Sequence, residues 1–193
     1  MRAALEAGDL PKAVREGETA VREDPSSSEA LDLLGRAYGL TAQKSHLLEQ
    51  MRLAKAARAC FARAVELDPA NVAALCDLAR YDMRAPGVLG GGKKKARATI
   101  DRVLTLDAER GYVLLGELAE LEKKPAEAEA AYRRALSACP DAEADRRAAI
   151  HERLAAVYER LGRKREAAAE LEAALTLEPD RTEWRQRLAR LEK

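Results

Sequence analysis

Leu154, Ala155, Tyr158, Gly162, Ala167, Leu171, Ala174 and Pro179 are the fixed points of the stretch LAAVYERLGRKREAAAELEAALTLEP, residues 154–179. They fall on positions 7, 8, 11, 15, 20, 24, 27 and 32 of a helix–turn–helix unit. Each residue type there has a steric reason. Small residues at 8, 20 and 27 let the two helices of a pair approach closely, and larger ones at 7, 11 and 24 fill the space between pairs. Proline ends the second helix, because it has no amide to donate and its ring clashes with the preceding turn.

The same register recurs upstream as Tyr112, Leu115, Gly116, Ala128, Tyr132, Ala135 and Pro140, with Ala119 where position 11 would hold an aromatic. A further unit reads Leu31, Leu34, Gly35 and Tyr38, then Ala57, Phe61, Ala64 and Pro69 after an insertion of ten residues. Between these lies a divergent unit. Leu75, Leu78 and Ala79 lead to Ala96, Ile100 and Val103, with Ala108 in the proline position and an inter-helix segment five residues too long. At the N-terminus Gly8, Asp9, Ala13, Ala20 and Pro25 fit positions 15, 16, 20, 27 and 32, so the first helix is a stub.

From about Leu5 to Pro179 the chain resembles a tetratricopeptide repeat protein. Gly39-Leu40-Thr41-Ala42-Gln43 and Ala85-Pro86-Gly87-Val88-Leu89-Gly90-Gly91-Gly92 are similar to segments of a group of bacterial repeat proteins, many of them exported. The resemblance implies an all-α, right-handed solenoid of antiparallel helix pairs that binds proteins, usually without catalysis, and it carries no catalytic residues to transfer. The expected organisation is one domain over residues 1–193, with about four and a half repeats at 1–26, 27–70, 71–108, 109–142 and 143–180. Trp184, Leu188 and Leu191 recur at helical spacing beyond Pro179, which predicts a capping helix over 181–193.

Composition agrees with helix. The chain is 47% hydrophobic, 4% aromatic and 35% charged, and rich in the good helix formers Ala, Leu, Glu, Arg and Lys. Its 34 basic and 33 acidic residues leave a formal charge of +1, so no field of one sign draws it to nucleic acid or an anionic membrane. No run of about 18 apolar residues predicts a membrane span. Met1-Arg2-Ala3-Ala4-Leu5-Glu6 is no signal peptide and starts inside a repeat. The expectation is a trimmed N-terminus, with a soluble periplasmic or exported protein if an export signal was lost and a cytoplasmic one otherwise.

Cys60, Cys76 and Cys139 are far apart and lack the close pairs that zinc or covalent haem needs, so they read as small packing residues. His151 takes a packing position, and His46 lies on the surface of the insertion. No metal and no cofactor is expected. Gly87-Val88-Leu89-Gly90-Gly91-Gly92-Lys93-Lys94 matches a phosphate-binding loop as far as the lysine. Lys94 then stands where a magnesium-binding serine or threonine is needed, and a helix rather than a strand precedes the loop. A nucleotide site is therefore a distant alternative. A weaker anion site at the helix start, on Gly91, Gly92, Lys93 and Lys94, is the milder expectation.

The ten extra residues between Tyr38 and Ala57 should lengthen both helices of their pair, with Leu47, Leu48 and Met51 packing on a neighbour rather than forming a lip of a binding surface. Partner binding is expected at positions 5, 9 and 12 of each first helix, which line the concave face of the architecture. These are Asp32, Arg36 and Gly39, then Cys76, Arg80 and Met83, then Val113, Glu117 and Glu120, and finally Glu152, Ala156 and Glu159. Arg36 and Arg80 at one end and four glutamates at the other would polarise the groove and orient a bound protein or peptide. The lysine and asparagine that capture chaperone C-termini in other repeat proteins are missing at these positions. A structural subunit of a larger complex, or a self-assembling homo-oligomer, is the alternative function. No nucleophile, base and oxyanion constellation points to an enzyme.

Overall fold

The computed structural model describes residues 1–192, which form eleven α-helices and no strand. Two compact units are present, one from Met1 to Leu106 and one from Asp107 onward. The first contains α1 (Arg2–Glu6), α2 (Leu10–Glu23), α3 (Ser28–Ala42), α4 (Leu47–Leu67), α5 (Val72–Arg84) and α6 (Lys93–Leu106). The second contains α7 (Ala108–Leu121), α8 (Pro125–Ala138), α9 (Ala144–Arg160), α10 (Lys164–Leu177) and α11 (Thr182–Leu191). The helices pair antiparallel as α1 with α2, α3 with α4, α5 with α6, α7 with α8, and α9 with α10.

Local chemistry sets the helix ends. Asp9, Ser27, Asn71 and Asp107 each accept a backbone N–H three residues on, at 3.0 to 3.2 Å, satisfying a donor that the first turn leaves open. Pro25, Pro69, Pro140 and Pro179 each stand two residues beyond a helix end. At the fifth such place stands Ala108, and with no proline to enforce an extended link, α7 begins there with Asp107 alone as the connection. Ser28 joins two successive pairs. Its hydroxyl donates to the Ala64 carbonyl at 2.9 Å and accepts from the Asn71 amide at 2.8 Å.

Close packing follows the small residues. Ala13, Ala57, Ala96, Ala128 and Ala167, the position-20 alanines, have no exposed surface. In the second unit Val113, Tyr132, Ile150, Leu154 and Tyr158 form one core cluster. Trp184 closes the far end with Ala148, Ala155, Leu171 and Ala174, and Arg181 stacks 5.0 Å from its ring centre. The cap was expected to run to Lys193, which lies outside the described residues.

The insertion behaves differently from its expectation. Helix α4 has 21 residues, against 14 in each of α2, α6, α8 and α10. Ala57 is its eleventh residue, whereas the equivalent alanines are the fourth of theirs, so the extension lies wholly at the start of α4. Helix α3, with 15 residues, is hardly longer than the 14 of α7. Leu53 is buried, but Leu47 and Leu48 are 69% and 84% exposed. An amphipathic pattern identifies an apolar side without supplying a neighbour to cover it, and here the overhang has run past its neighbours.

Position 15 makes the turn within a pair. Gly8 and Gly162 have φ of +71°, and Lys123 at the same position has φ of 58°. In all three turns the following amide donates back to the carbonyl five residues earlier, at 2.9 Å. A side chain in this left-handed region costs roughly 1–2 kcal/mol that glycine avoids. We predict that Lys123→Gly stabilises the protein by about 0.5–1 kcal/mol in urea unfolding, part of the relief being offset by the entropy of the unfolded glycine. A loss of stability would show that the lysine side chain contributes more than its turn costs.

Candidate functional site

The first-helix positions of the N-terminal unit divide into two groups. Asp32, Cys76 and Met83 are buried, while Arg36 is exposed and Gly39 and Arg80 are half-buried. Asp77, which the register did not single out, stands between the two arginines. Its carboxylate lies 3.6 Å from Arg36 Nε and 3.8 Å from Arg80 Nη1. The basic end expected from Arg36 and Arg80 is thus partly offset by an acid on α5.

Around these charges lies an open groove of about 820 Å³. Its apolar wall comes from Leu40 at the end of α3, Leu47 and Met51 on the α4 overhang, and Val88 and Leu89 in the α5–α6 connection. Val88 is 75% exposed. Arg36, Asp77, Arg80 and Arg84 provide its polar groups. Both insertions that break the repeat therefore meet at one place. They are the same inter-helix turn of two successive pairs, so stacking the pairs sets them side by side.

Contacts within the unit hold the α5–α6 connection. Gly87–Leu89 forms a 3-10 turn, and Tyr81 donates from its hydroxyl to the Leu89 carbonyl at 3.0 Å. Arg58 on α4 makes a bidentate pair with the buried Asp82 at 2.8 and 3.2 Å. The Asp82 carbonyl accepts the Gly92 N–H at 2.8 Å. Gly90 and Gly91 donate to the Gly87 and Pro86 carbonyls, and Lys95 Nζ reaches the Gly90 carbonyl at 2.8 Å. The amides of Gly91 and Gly92, two of the groups expected to hold an anion, already donate inside the loop. Gly91 leaves no room for a side chain, since a Cβ would lie 2.0 Å from the Ala85 carbonyl oxygen. Gly91→Ala should shift this connection and cost about 1–3 kcal/mol in thermal unfolding, whereas an unchanged Tm would mean the loop is not held as described.

In the C-terminal unit Val113 and Glu117 are buried, and every expected carboxylate meets an arginine. Glu117 pairs with Arg153 at 2.9 Å, Glu120 with Arg160, and Arg187 bridges Glu152 and Glu159, the latter at 3.0 Å. These partners lie 28 to 40 residues apart in sequence. The acidity read from residue identity is thereby internally neutralised. Ala156 is half-buried between them. His151 Nδ1 lies 2.6 Å from Glu170 Oε2, and His46 is exposed at the start of α4. Burial pushes the Cys60 thiol up to about 11, which keeps it protonated and unreactive at neutral pH. Among the described residues no group of three or more His, Cys, Asp or Glu is placed to hold a metal ion, and no helix is long and apolar enough to cross a membrane.

Asp32 is 4% exposed, and its Oδ1 has no hydrogen-bond partner among the described residues. Burial, then repulsion from Asp77, push its carboxyl from an ordinary 3.8 up to about 7, against the opposing pull of Arg36 and Arg2. The unfolded chain ionises this group first, so its favourable contribution is complete below about pH 4 and lost as pH rises to about 7. Asp32→Asn should therefore stabilise the protein at pH 8 by about 1–3 kcal/mol, with the gain gone at pH 4. An equal gain at both values in urea unfolding would contradict this assignment.

Family profiles described as tetratricopeptide repeat match residues 38–71, 91–143 and 148–191. A comparison with curated protein sequences gave no match. Among solved structures, the chain is similar to a thermophilic tetratricopeptide protein of Thermus thermophilus, with 21% identity, 98% of this chain and 93% of that chain covered, and a TM-score of 0.75. It is also similar to MamA, with 21% identity, 94% and 95% coverage and a TM-score of 0.58. MamA from Desulfovibrio magneticus RS-1 gives 18% identity, 94% and 92% coverage and a TM-score of 0.58. At these identities the likeness concerns the fold. With the position-20 alanines buried, the position-15 turns repeated and three family profiles together covering most of the chain, the chain belongs to the tetratricopeptide repeat proteins.

Proposed function

We propose that this protein is a non-catalytic protein-interaction scaffold and that the groove of its N-terminal unit holds the partner. The observation that carries the reading is the convergence of Leu40, Leu47, Met51, Val88 and Leu89 on one open groove. Exposed apolar surface costs solubility and is retained on soluble domains mainly where something binds. Here it is concentrated on chain added to the repeat, and the repeat does not need that chain in order to stack. Arg36 and Arg80 reach the same groove, which links it to the first-helix face expected to recognise a partner. The expected carboxylates of the C-terminal unit are matched by arginines.

The test is affinity capture from the source organism's lysate, identified by mass spectrometry. Wild type is compared with Leu47→Glu/Val88→Glu and with the control Leu121→Glu/Leu161→Glu, whose leucines are exposed in the C-terminal unit. A protein retained by wild type and control but lost by the groove variant supports the reading. Retention by the groove variant, or loss by the control alone, moves the interaction surface elsewhere.

A further inference from the structure

A buried carboxylate stands where the repeat takes a packing residue. Asp82 is on position 11 of its pair, the place held by Tyr38, Ala119 and Tyr158 in the other full pairs, and it is 2% exposed. A carboxylate is almost never enclosed without a partner, because leaving water is costly. Here the partner is Arg58, the residue after the enclosed Ala57 of the preceding pair, and its guanidinium meets both carboxylate oxygens. The second unit makes the equivalent crossing differently. Glu129, the residue after Ala128, accepts the Tyr158 hydroxyl at 3.0 Å. The repeat thus has an aromatic way to fill this crossing, and one pair departs from it.

Stability does not explain the departure. Two charges lose hydration on burial, and an apolar pair of similar volume is commonly as stable or more so. What the pair touches does explain it. The Asp82 carbonyl accepts the Gly92 N–H at 2.8 Å, and a Cβ on Gly90 would lie 3.0 Å from Arg58 Cδ, so the loop rests on the stem of that arginine. Tyr81, next to Asp82, donates to the Leu89 carbonyl. Val88 is largely exposed and has no enclosure of its own to fix it. Its place in the groove wall is set by how the rest of the connection is seated.

Resting on the scaffold reading above, we infer that Arg58 and Asp82 are positioning residues of the groove. Their pair seats the α5–α6 connection on α4, so Val88 and Leu89 stand as a preformed wall and a partner meets it without first ordering the loop. Preorganisation of this kind reduces the ordering cost of binding.

The test uses the whole chain carrying Arg58→Leu/Asp82→Leu, which removes both charges together and leaves neither buried alone. Its urea midpoint should match or exceed that of wild type. The Gly92 amide should nevertheless exchange with deuterium at least about tenfold faster, while amides within α3 keep their rates. The Val88 and Leu89 methyl resonances should move toward unstructured positions, and those of Leu31 and Leu34 should stay. Arg58→Gln/Asp82→Asn keeps the shape of the pair without its charges, and it should speed the same amide to a smaller extent; it decides the matter if the leucine variant does not fold. Unchanged Gly92 exchange in a folded variant overturns the inference, because Tyr81 and Lys95 would then hold the loop without the pair. So does a lowered midpoint with exchange faster throughout the unit in both variants, which would make the pair a general stabiliser. Affinity for the captured protein should fall about tenfold in the variant with the loosened loop. If the loop loosens and that affinity is unchanged, the scaffold reading of the groove fails while the pair's part in seating the loop stands.

Discussion

Each helix pair depends on one alanine in its second helix. Ala13, Ala57, Ala96, Ala128 and Ala167 are completely enclosed, so the backbones of paired helices approach as closely as a methyl group allows. Filling that space with a larger side chain would force off-rotamer packing at a cost of about 1–3 kcal/mol. The larger residues then have defined places. Phe61, Ile100, Tyr132 and Leu171, one turn further along, are buried in their units.

Such packing leaves no interior room for extra chain. Additional residues can leave the repeat only at a turn, where the backbone reaches solvent. The ten residues before Ala57 and the five before Ala96 use equivalent turns of neighbouring pairs, and so they emerge together. Part of the first becomes the overhang of α4. The second becomes the 3-10 turn that Tyr81, Asp82 and Arg58 hold in place. An open apolar groove follows from two departures from the repeat, with Arg36, Asp77 and Arg80 supplied by the repeat itself.

The repeat register was legible because it rests on local sterics. A glycine in a left-handed turn, a proline two residues past a helix end and an alanine at a helix crossing each leave a mark at one position. Lys123 is the exception that shows the rule is about geometry, since it adopts the glycine conformation at the same position. The site was less legible. Positions 5, 9 and 12 named Arg36 and Arg80 but passed over Asp77, which differs from its neighbours only by a step of one residue around the helix. Arg58 and Asp82 are 24 residues apart, and the arginines that meet Glu117, Glu120 and Glu159 are comparably distant. Such pairs are set by how helices stack, which no local pattern encodes. Leu47 and Leu48 show the opposite case. Their spacing correctly gave a helix with an apolar side, and only the packing could say that the side was left uncovered.

The central claim is that both insertions serve one binding surface. Methyl-resolved NMR of the protein titrated with its captured partner tests it most directly. Leu40, Leu47, Met51, Val88 and Leu89 should shift together with a single apparent Kd, while Leu121 and Leu161 stay in place. Shifts confined to the C-terminal unit, or different affinities for the Leu47 and Val88 methyls, would contradict the account.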